Sequence, residues 1–396
     1  MLGVIRSTYS SHGFDEIETP VMEDSDRLHA GLGGDNEKLA FAVMKRGLTP
    51  DDFANATESL DLADLGLRFD LTVPLARFYA SHRAELPTVF RSIQIAPVWR
   101  AERPQKGRYR QFVQCDIDII GEPGPIAEVE LITATVATLD ALGVAGCSIR
   151  INDRRLLTSS LTLLGFPANE HDPVLITFDK LDKLGVDGVI GELKDRGFPA
   201  EPVAALDEFL RRPVEPIQFG EAAIRAALPE GVDAGAVAEL ASIGETVAAV
   251  LGRAVVQFDP WLVRGMGYYT GAIFEIAHPS LGYSLGGGGR YDGMIGRFLG
   301  TDVPAAGFSL GFERLVDLVE LSDDAATDAL ALVHDADVSV PALVALKSTL
   351  IAEGKRVALV PRPKNMRPLL ESLAAQGYAQ YAYVTVEGMQ DLRAIG

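Results

Sequence analysis

The 396-residue sequence predicts an α+β fold: an antiparallel sheet flanked by helices, with a helical insertion and a small C-terminal α/β domain. Three observations predict it. Two strand-like stretches, 89–100 and 109–120, surround a polar turn, as in an antiparallel hairpin. A mostly helical block at 155–255 separates these strands from further strands within 255–277. Beyond residue 328, strands and helices alternate, which is typical of a small, mainly parallel sheet.

Local patterns predict the elements before the helical block. In order, they are a helix ending at Ser11, short structured segments at 37–46 and 67–80, a helix at 126–144 and a strand at 148–152. Because strands precede and follow the helical block, we interpret it as an insertion, at about 155–250. The larger domain is then predicted at 1–322.

The segments after the insertion include four consecutive glycines at 286–289 and a helix that opens after 307–311 and runs through Glu320. The acidic stretch 323–327 is predicted as a linker. The C-terminal domain, 328–396, is expected to be truncated, without its last strand. Its predicted elements are strands at 329–333, 357–360 and 380–385 and helices at 341–353 and 366–376.

Composition limits the classes of function. The formal net charge is −19, from 36 Lys and Arg against 55 Asp and Glu, and the pI is about 4.8. This balance argues against a general polyanion binder, but not against an enzyme whose basic residues share one cleft. Cys115 and Cys147 make neither a zinc set nor a disulfide framework. With no secretory segment and no apolar run of about 18 residues, we predict a cytoplasmic protein without a membrane span.

The densest chemical signal is Trp-Arg-Ala-Glu-Arg-Pro-Gln-Lys-Gly-Arg-Tyr-Arg-Gln-Phe at 99–112, with five cations and one carboxylate. It could be a solvated basic turn. However, alternate strand positions face one side of a sheet. The residues then expected to converge on one ligand are Arg100, Glu102, Arg108, Arg110 and Phe112. Guanidinium groups suit phosphates, a carboxylate can accept an amine, and an aromatic ring can stack on a base, so this set fits a nucleotide.

The same segment resembles motif 2 of the class II aminoacyl-tRNA synthetases, in the form seen in the histidyl-tRNA synthetase family. The stretch from Gly13-Phe14 through Thr19-Pro20 resembles motif 1, which builds the dimer interface in that class. Gly-Phe-Ser-Leu-Gly-Phe-Glu-Arg at 307–314 resembles motif 3. The stretches that match the histidine member are Leu-Val-Arg-Gly-Met-Gly-Tyr-Tyr-Thr at 262–270, Gly-Gly-Gly-Gly-Arg-Tyr-Asp-Gly at 286–293, 67–74 and 114–118.

The resemblance covers about residues 12–384 and implies a class II catalytic domain with an anticodon-binding-like C-terminal domain. It implies activation of L-histidine by ATP, with Mg²⁺, to histidyl-adenylate, and transfer to tRNA(His) by a homodimer. Two arginines are implied as catalytic. Arg100 would bridge the histidine carboxylate and the α-phosphate and hold them in line. Arg264 would neutralise charge on the α-phosphate, although a structural ion pair is the alternative for it.

The remaining ATP-binding residues implied by the resemblance divide the nucleotide among them. Glu102 is expected to read the adenine amine and Phe112 to stack on the adenine ring. Arg314 is expected to stack on the other face of adenine or to contact the γ-phosphate. Arg108 is expected to hold the distal phosphates. No set of protein ligands for a metal ion is predicted.

The residues implied to bind histidine are Asp70, Thr72, Gln114, Asp118, Tyr268, Tyr269, Gly287 and Gly288. The first three are expected at the ammonium group, which needs acceptors, and Asp118 and Tyr269 at the imidazole, whose nitrogens need polar partners. Asp118 could instead be a surface carboxylate, but its neighbours along the chain are isoleucines. The glycine run could be a flexible loop; the resemblance implies backbone that lies close to bound histidine.

Contacts with tRNA are implied at two places. Arg103, Gln105 and Lys106 at the hairpin tip are expected near the acceptor end. The C-terminal domain has its own basic residues, which serve either anticodon contact or solubility: Lys355, Arg356, Arg362, Lys364 and Arg367.

The sequence departs from the family at position 267, where Gly replaces the usual Asp beside Tyr268 and Tyr269. The chain also begins close to motif 1, so an incomplete dimer interface is expected. Two alternatives remain open: a regulatory paralogue that senses histidine for ATP phosphoribosyltransferase, and a non-catalytic tRNA binder. Regulatory paralogues generally lack the anticodon-binding domain and have an eroded motif 2, whereas this sequence keeps both.

Overall fold

The computed structural model describes residues 1–29, 39–105, 107–212, 219–264, 267–319 and 329–395. The chain forms two compact units, Met1–Val319 and Glu320–Gly396. The predicted linker at 323–327 and Lys106 at the hairpin tip lie outside the described residues.

The eleven described strands of the larger unit form two sheets. They are β1 (Asp15–Glu16), β2 (Met22–Asp24), β3 (Phe41–Met44), β4 (Ala63–Leu67), β5 (Phe90–Trp99), β6 (Gln111–Ile120), β7 (Ser148–Asp153), β8 (Val256–Phe258), β9 (Ala272–Ala277), β10 (Gly286–Arg290) and β11 (Ala305–Gly311). The small antiparallel sheet has the order β2-β4-β3, and the large sheet the order β1-β5-β6-β11-β10-β9-β7-β8. The two outermost pairs of the large sheet are parallel and its inner pairs antiparallel. The predicted fold class is confirmed.

Helices flank this sheet. They are α1 (Leu2–Ser11), α2 (Ser25–His29), α3 (Pro50–Asn55), α4 (Thr72–His82), α5 (Ile126–Ala141), α6 (Arg154–Leu163), α7 (His171–Phe178), α8 (Leu181–Asp195), α9 (Ala200–Leu210), α10 (Glu221–Ala226), α11 (Ala234–Leu251), α12 (Asp292–Leu299) and α13 (Phe312–Val316). The largely buried α5 packs against β6 and β11 and contacts α1 and α11. Helices α6 to α11 lie between β7 and β8, where the sequence predicts an insertion.

The predicted hairpin is the pair β5 and β6, in register from Phe90–Ile120 to Trp99–Gln111. On β6 the side chains alternate between two environments. Cys115, Ile117 and Ile119 are fully buried in the main apolar core. Their neighbours along the strand point to the opposite face because successive residues of a strand alternate. The hairpin therefore carries a polar face and an apolar face on one rigid element.

Helices α8 and α11 both belong to the insertion. Helix α8 is kinked at Gly185, whose φ of +67° lies in the region that glycine adopts most easily. Helix α11 is, among the described residues, the one helix long and apolar enough to cross a membrane by length and composition. Its residues Val237, Leu240 and Val247 are buried in the main core of this unit, together with residues of α5. They therefore serve as part of that core.

The two glycine-rich segments belong to the large sheet. The four glycines form a strand, β10, and not the flexible loop that the sequence left as the alternative. The segment 307–311 is likewise strand, β11, and the helix predicted through Glu320 ends at Val316. This helix buries only Leu315 of its described residues, and a helix gains most of its stability from the apolar face that it packs. Glu320 itself lies outside the described residues.

The smaller unit has the five elements that the sequence predicts, followed by two short strands. They are β12 (Ala329–His334), α14 (Val340–Ala352), β13 (Arg356–Pro361), α15 (Met366–Ala375), β14 (Gln380–Thr385), β15 (Gly388–Met389) and β16 (Arg393–Ala394). The parallel order β13-β12-β14 continues through antiparallel β15 and β16. Leu330 and Leu332 pack with residues of α14, whereas Ala331 and Val333 pack with Leu373 of α15.

Candidate active site

One face of the large sheet carries a row of polar residues and one glycine in register. Asp116 on β6 pairs with Gln94 on β5 and with Ser309 on β11. The row continues through Gly287 on β10 to Glu275 on β9. Directly paired residues point to the same face of a sheet. Strands that are distant in sequence therefore bring these residues to one surface.

This surface lines a cavity of about 390 Å³. Among its lining residues are all those that the sequence analysis assigned to ATP or histidine: Asp70, Thr72, Arg100, Glu102, Arg108, Phe112, Gln114, Asp118, Arg264, Tyr268, Tyr269, Gly287, Gly288 and Arg314. Arg110 is exposed and does not line the cavity. The prediction that it converges with Arg100, Glu102, Arg108 and Phe112 on one ligand is therefore wrong. A smaller cavity of about 140 Å³ shares Arg100, Glu102 and Arg314 with the first.

Arg100 follows directly after β5 and is held on several sides. Its Nε donates to the Phe69 carbonyl oxygen at 3.0 Å, and its Nη2 lies 3.6 Å from Oδ2 of Asp70. The guanidinium carbon lies 4.9 Å from the centroid of the Phe112 ring. These contacts fix the direction of the guanidinium group while leaving it on the surface of the cavity.

Arg314, on α13, lies among other cations. Its Nε donates to the Gly107 carbonyl oxygen at 3.2 Å, and its Nη1 to the Ser284 carbonyl oxygen at 2.7 Å. Burial lowers the pKa of Arg314, and the positive charges of Arg100 and Arg264 lower it further. Several guanidinium groups in one partly buried site repel each other, so an anion bound there would relieve the repulsion.

Glu102 and Arg108 lie on either side of the hairpin turn, 4.0 Å apart. The turn is closed by two backbone hydrogen bonds between Gln105 and Arg108, and Gly107 has a φ of +75°. The backbone amide of Val113 donates to the carboxylate of Glu313, which ties the start of α13 to β6. The hairpin turn and α13 therefore meet at the part of the cavity that Arg314 lines.

Arg264 lies in an irregular segment between β8 and β9. Its Nη1 donates to Oε2 of Glu275 at 2.8 Å. Burial lowers the pKa of Arg264, but Tyr269, Glu275 and Asp179 more than offset this, so its pKa is raised. Arg264 thus makes a structural ion pair and also lines the cavity. The ion pair that the sequence left as an alternative therefore does not prevent Arg264 from contacting a ligand in the cavity.

The carboxylates of β6 form the acidic part of the cavity. Asp118 is buried, which raises its pKa to about 7, although the hydroxyl of Tyr291 donates to its Oδ1 at 2.6 Å. Burial raises the pKa of Asp116 well above its usual value, and the charges of Asp70 and Asp118 raise it further. Three carboxyl groups this close favour either a shared proton or a bound cation.

Gln114 joins these carboxylates into one network. Its Nε2 donates to Oγ of Ser309 at 3.1 Å and lies 3.4 Å from Oδ2 of Asp70. Two buried acceptors, Oε1 of Gln114 and Oδ1 of Asp116, have no hydrogen-bond partner within the described residues. Buried polar atoms are normally paired, so a ligand that donates hydrogen bonds fits this place.

Comparison with known proteins gives the family. A family model described as Histidyl-tRNA synthetase matches residues 1–315. The chain belongs to the histidyl-tRNA synthetase family. It is 59% identical over 395 residues to the "Histidine--tRNA ligase" of Leifsonia xyli subsp. xyli (strain CTCB07), covering 98% of this chain and 91% of that protein. It is 43% identical to the "Probable histidine--tRNA ligase" of Tropheryma whipplei (strain Twist), covering 96% and 90%.

Solved structures show the same fold. The histidyl-tRNA synthetase of Nostoc sp. PCC 7120 aligns with a TM-score of 0.75 at 24% identity, covering 99% of this chain and 92% of that one. A protein from Bacillus halodurans C, described as an ATP phosphoribosyltransferase regulatory subunit/histidyl-tRNA synthetase, also aligns at 0.75, with 21% identity and coverages of 97% and 93%. At these identities the similarity concerns the fold alone, and the family rests on the sequence matches.

The two histidine-family signatures meet at the cavity. Tyr268 and Tyr269 have ring centroids 4.7 Å apart, and the Tyr268 ring lies edge-on to Tyr291 at 6.1 Å. Position 267, where this chain has Gly, is in a turn directly before them, and residues 265–266 lie outside the described part. Both tyrosines are buried, and their rings pack against each other.

The glycines of β10 are explained by their surroundings. A Cβ atom at Gly288 would lie 1.9 Å from the carbonyl oxygen of Gly307, and one at Gly286 would lie 2.2 Å from that of Ser309. A Cβ at Gly307 would in turn meet Oδ1 of Asp118 at 2.0 Å. The strands therefore pack more closely here than any side chain allows, and the backbone borders the cavity.

Of the residues assigned to the acceptor end of tRNA, those that the structure describes do not line the cavity. Arg103 and Gln105 are exposed at the hairpin tip, and Lys106 lies outside the described residues. In the smaller unit, Arg362 pairs with Asp335 at 3.2 Å and its guanidinium lies 4.5 Å from the centroid of the Tyr383 ring. The same unit contains the other basic residues that the sequence analysis named there: Lys355, Arg356, Lys364 and Arg367.

Several lining residues were missed by the sequence analysis. Asp116 alternates with Gln114 and Asp118, and that spacing could have identified it. Tyr291 lies inside a quoted signature, but nothing in the sequence indicates its bond to Asp118. Glu275, Ser309 and Asp179 reach the cavity through strand register and through the packing of the insertion, which local patterns do not reveal.

Proposed function

We propose that the cavity binds ATP and L-histidine together, that the chain joins them as histidyl-adenylate with release of pyrophosphate, and that it then transfers the histidyl group to tRNA(His). As a member of its family, the chain is an aminoacyl-tRNA synthetase and a ligase. The observation that carries the residue assignments is the arrangement of charge. Arginines crowd one part of the cavity, and buried carboxylates crowd the other.

Arg100 is placed to serve both substrates. It lies 3.6 Å from Asp70 of the acidic part and stacks on Phe112 of the nucleotide part. A guanidinium fork in that position can hold the histidine carboxylate and the α-phosphate in line for attack, which is most of what such a substitution requires. Arg264 supplies a second positive charge for the α-phosphate as negative charge develops.

The nucleotide is held by the hairpin and α13. Phe112 offers its ring to adenine, and Glu102 offers a carboxylate to the exocyclic amine. Arg108 and Arg314 are then left for the distal phosphates or for the outer face of adenine. Within the described residues no group of three or more His, Cys, Asp or Glu could hold a metal ion. We therefore propose that Mg²⁺ enters with the ATP phosphates, since Mg²⁺ commonly relies on substrate phosphates and water for its ligands.

Histidine is held by the acidic part. Its ammonium group would meet Asp70, Thr72 and Gln114, whose network contains an unpaired buried oxygen. Its imidazole would donate to Asp118 and meet Tyr269. The strand of Gly287 and Gly288 would border the substrate through its backbone. An imidazole bound there gives the buried carboxylate of Asp118 a second partner beside Tyr291.

The same proposal includes partners outside the cavity. Arg103, Gln105 and Lys106 would contact the acceptor end of tRNA(His), and the smaller unit would contact the anticodon. The chain would work as a homodimer through the motif 1 region, in the cytoplasm. The regulatory alternative is not favoured, because the relatives are named ligases and because the nucleotide side retains Arg100, Glu102 and their partners.

The experiment is histidine-dependent ATP–pyrophosphate exchange by Arg100→Ala. We expect a loss of about 10²–10³-fold in kcat, in line with removal of one preorganised group that stabilises the transition state. The matched control is Arg91→Ala. Arg91 lies on β5, the strand that Arg100 follows, pairs with Glu130 of α5 and does not line the cavity. Arg91→Ala should exchange normally. Exchange by Arg100→Ala at the control rate would show that Arg100 does not act in activation.

A further inference from the structure

We propose that Glu275 and Arg150 are positioning residues that hold Arg264 in its working orientation, and that the helical insertion takes part through Asp182. The inference rests on the catalytic role proposed for Arg264. These four residues form a chain of ion pairs that begins at the cavity and ends on the first residues of α8. None of Glu275, Arg150 and Asp182 belongs to the site that the sequence motifs predict.

Arg264 needs external support, because it belongs to no helix or strand. Glu275 provides it from β9, an inner strand of the large sheet, with 2.8 Å between Oε2 of Glu275 and Nη1 of Arg264. This bond uses one of the three nitrogens of the guanidinium group. A guanidinium group presents five N–H donors, so this bond and the hydrogen bond of Arg264 with Tyr269 can orient the group and still leave donors for an anion in the cavity.

Arg150 holds Glu275 from the other side. The two residues are directly opposite each other on β7 and β9, and Nη1 of Arg150 lies 3.4 Å from Oε1 of Glu275. Nε of Arg150 also pairs with Asp259, whose other oxygen accepts from the backbone amide of Trp261 at 2.9 Å. Arg150 thus fixes both the carboxylate that holds Arg264 and the start of the segment that carries it.

The glycine at position 287 gives independent evidence that the space beside Glu275 accommodates the guanidinium group of Arg264. Gly287 pairs with Glu275 on the neighbouring strand. A Cβ atom there would lie 2.8 Å from Nη1 of Arg264 and 2.7 Å from the carbonyl oxygen of Phe274. Any larger residue at 287 would therefore push the guanidinium group away from Glu275.

The insertion reaches the same network at the corner between α7 and α8. Oδ2 of Asp182 lies 3.2 Å from Nη1 of Arg150. Asp179, in the same corner, lines the main cavity and also a small second cavity of about 60 Å³ that Arg150 and Glu275 share. Burial raises the pKa of Asp179 to about 6, and the charge of Arg264 opposes that rise. A shift of the insertion would therefore change the partners of Arg150 first and those of Arg264 next.

The test compares Glu275→Gln with Glu130→Gln in the full chain, by pyrophosphate exchange. Glu130 is the matched control, because it also pairs with an arginine, Arg91, at 2.7 Å and lies outside the cavity. We expect Glu275→Gln to lower kcat by about 10–100-fold, since a misplacement of about 1 Å can cost that much. The KM for histidine and the thermal unfolding midpoint should stay close to those of the control. An unchanged or higher kcat would overturn the proposal.

A double-mutant cycle shows whether Glu275 acts through Arg264. If it does, Glu275→Gln should have little further effect in an Arg264→Ala background. An equal loss in both backgrounds would assign Glu275 an independent role and overturn the proposal. Normal kcat in Arg264→Ala alone would instead overturn the proposed function of Arg264. The two failures are therefore distinguishable.

Asp182→Asn tests the role of the insertion, and it decides the matter if Glu275→Gln does not fold. The Asp182 side chain is 76% exposed, so the substitution should leave the fold intact. We expect a loss of about 1.4- to fivefold in kcat, since an exposed ion pair contributes about 0.2–1 kcal/mol. This loss should disappear in the Arg264→Ala background. An unchanged kcat in Asp182→Asn would remove the insertion from the proposal, and would overturn the proposal as a whole if Glu275→Gln does not fold.

Discussion

At the scale of single residues, Asp118 shows how the fold sets the state of a side chain. Its pKa is raised to about 7 because it is buried, and the hydrogen bond from Tyr291 limits the rise. A carboxyl group with a folded pKa above its unfolded value favours folding while it stays protonated. Its contribution to stability is therefore present at low pH and is lost as the pH rises from about 4 through 7. Ionised Asp118 is useful to a ligand that donates a hydrogen bond.

We predict that Asp118→Asn weakens the use of histidine far more than that of ATP. A site built to bond a polar group rejects partners that leave its own groups unpaired. In the parent chain the KM for histidine should fall as the pH rises through about 7, because Asp118 ionises there. Asp118→Asn should lack this change, and should be more stable than the parent above pH 7. The measurements are KM for both substrates and urea unfolding at pH 6, 7 and 8.

The control for this prediction is Tyr291→Phe. The Tyr291 hydroxyl lowers the pKa of Asp118, so its removal should move the change in KM to higher pH while keeping the carboxylate. Equal losses in the affinities for histidine and ATP in Asp118→Asn would mean that Asp118 supports the fold of the whole cavity rather than reading the imidazole.

At the scale of elements, β10 is a strand made of residues that normally disfavour strands. Its glycines are required because a Cβ at Gly288 would collide with the Gly307 carbonyl oxygen on β11. We predict that Gly288→Ala lowers the unfolding free energy by about 1–3 kcal/mol, the usual cost of overpacking, and impairs histidine binding. Gly293→Ala is the control: it is in α12 with nothing within 4 Å of its Cβ, and should be neutral or stabilising. Urea unfolding of both variants measures the difference, and equal stabilities would contradict the close packing.

The elements also show what the sequence can reveal. The hairpin β5–β6 was predictable because its strands are adjacent in sequence and their alternation is local. The strand character of 286–289 was not, because glycine has no local preference for a strand and only the neighbouring strands impose it. The contact of Glu275 with Arg264 depends on register between strands far apart in sequence. The contact of Asp182 with Arg150 depends on how the insertion packs against the sheet. Motif resemblance supplied the cavity residues that alternation alone left open.

At the scale of the whole molecule, the small sheet near motif 1 leaves apolar side chains exposed. Val21, Met22, Met44 and Phe53 are each at least 36% exposed. We propose that a homodimer covers the exposed apolar residues nearest motif 1, Val21 and Met22, in a self-complementary way.

We therefore predict that the chain is a dimer by light scattering at micromolar concentration and that Met22→Glu shifts it toward monomer, because a charge would be buried in the interface. Val250→Glu, at an exposed apolar site on α11, is the control and should stay dimeric. A parent chain that is monomeric and still forms histidyl-adenylate would show that the dimer is not required.

The two units divide the proposed labour, because every residue assigned to ATP or histidine lies between Asp70 and Arg314, inside the larger unit. We predict that a chain ending at Ala325, if soluble, keeps histidine-dependent pyrophosphate exchange but loses most charging of tRNA, mainly through weaker tRNA binding. Arg362→Ala with Lys364→Ala should act in the same direction more mildly, and the salt dependence of tRNA binding should decrease because fewer phosphates are contacted. Both activities are measured on the same preparations. Undiminished charging by the shortened chain would show that the smaller unit does not read tRNA and would favour an interaction role for it.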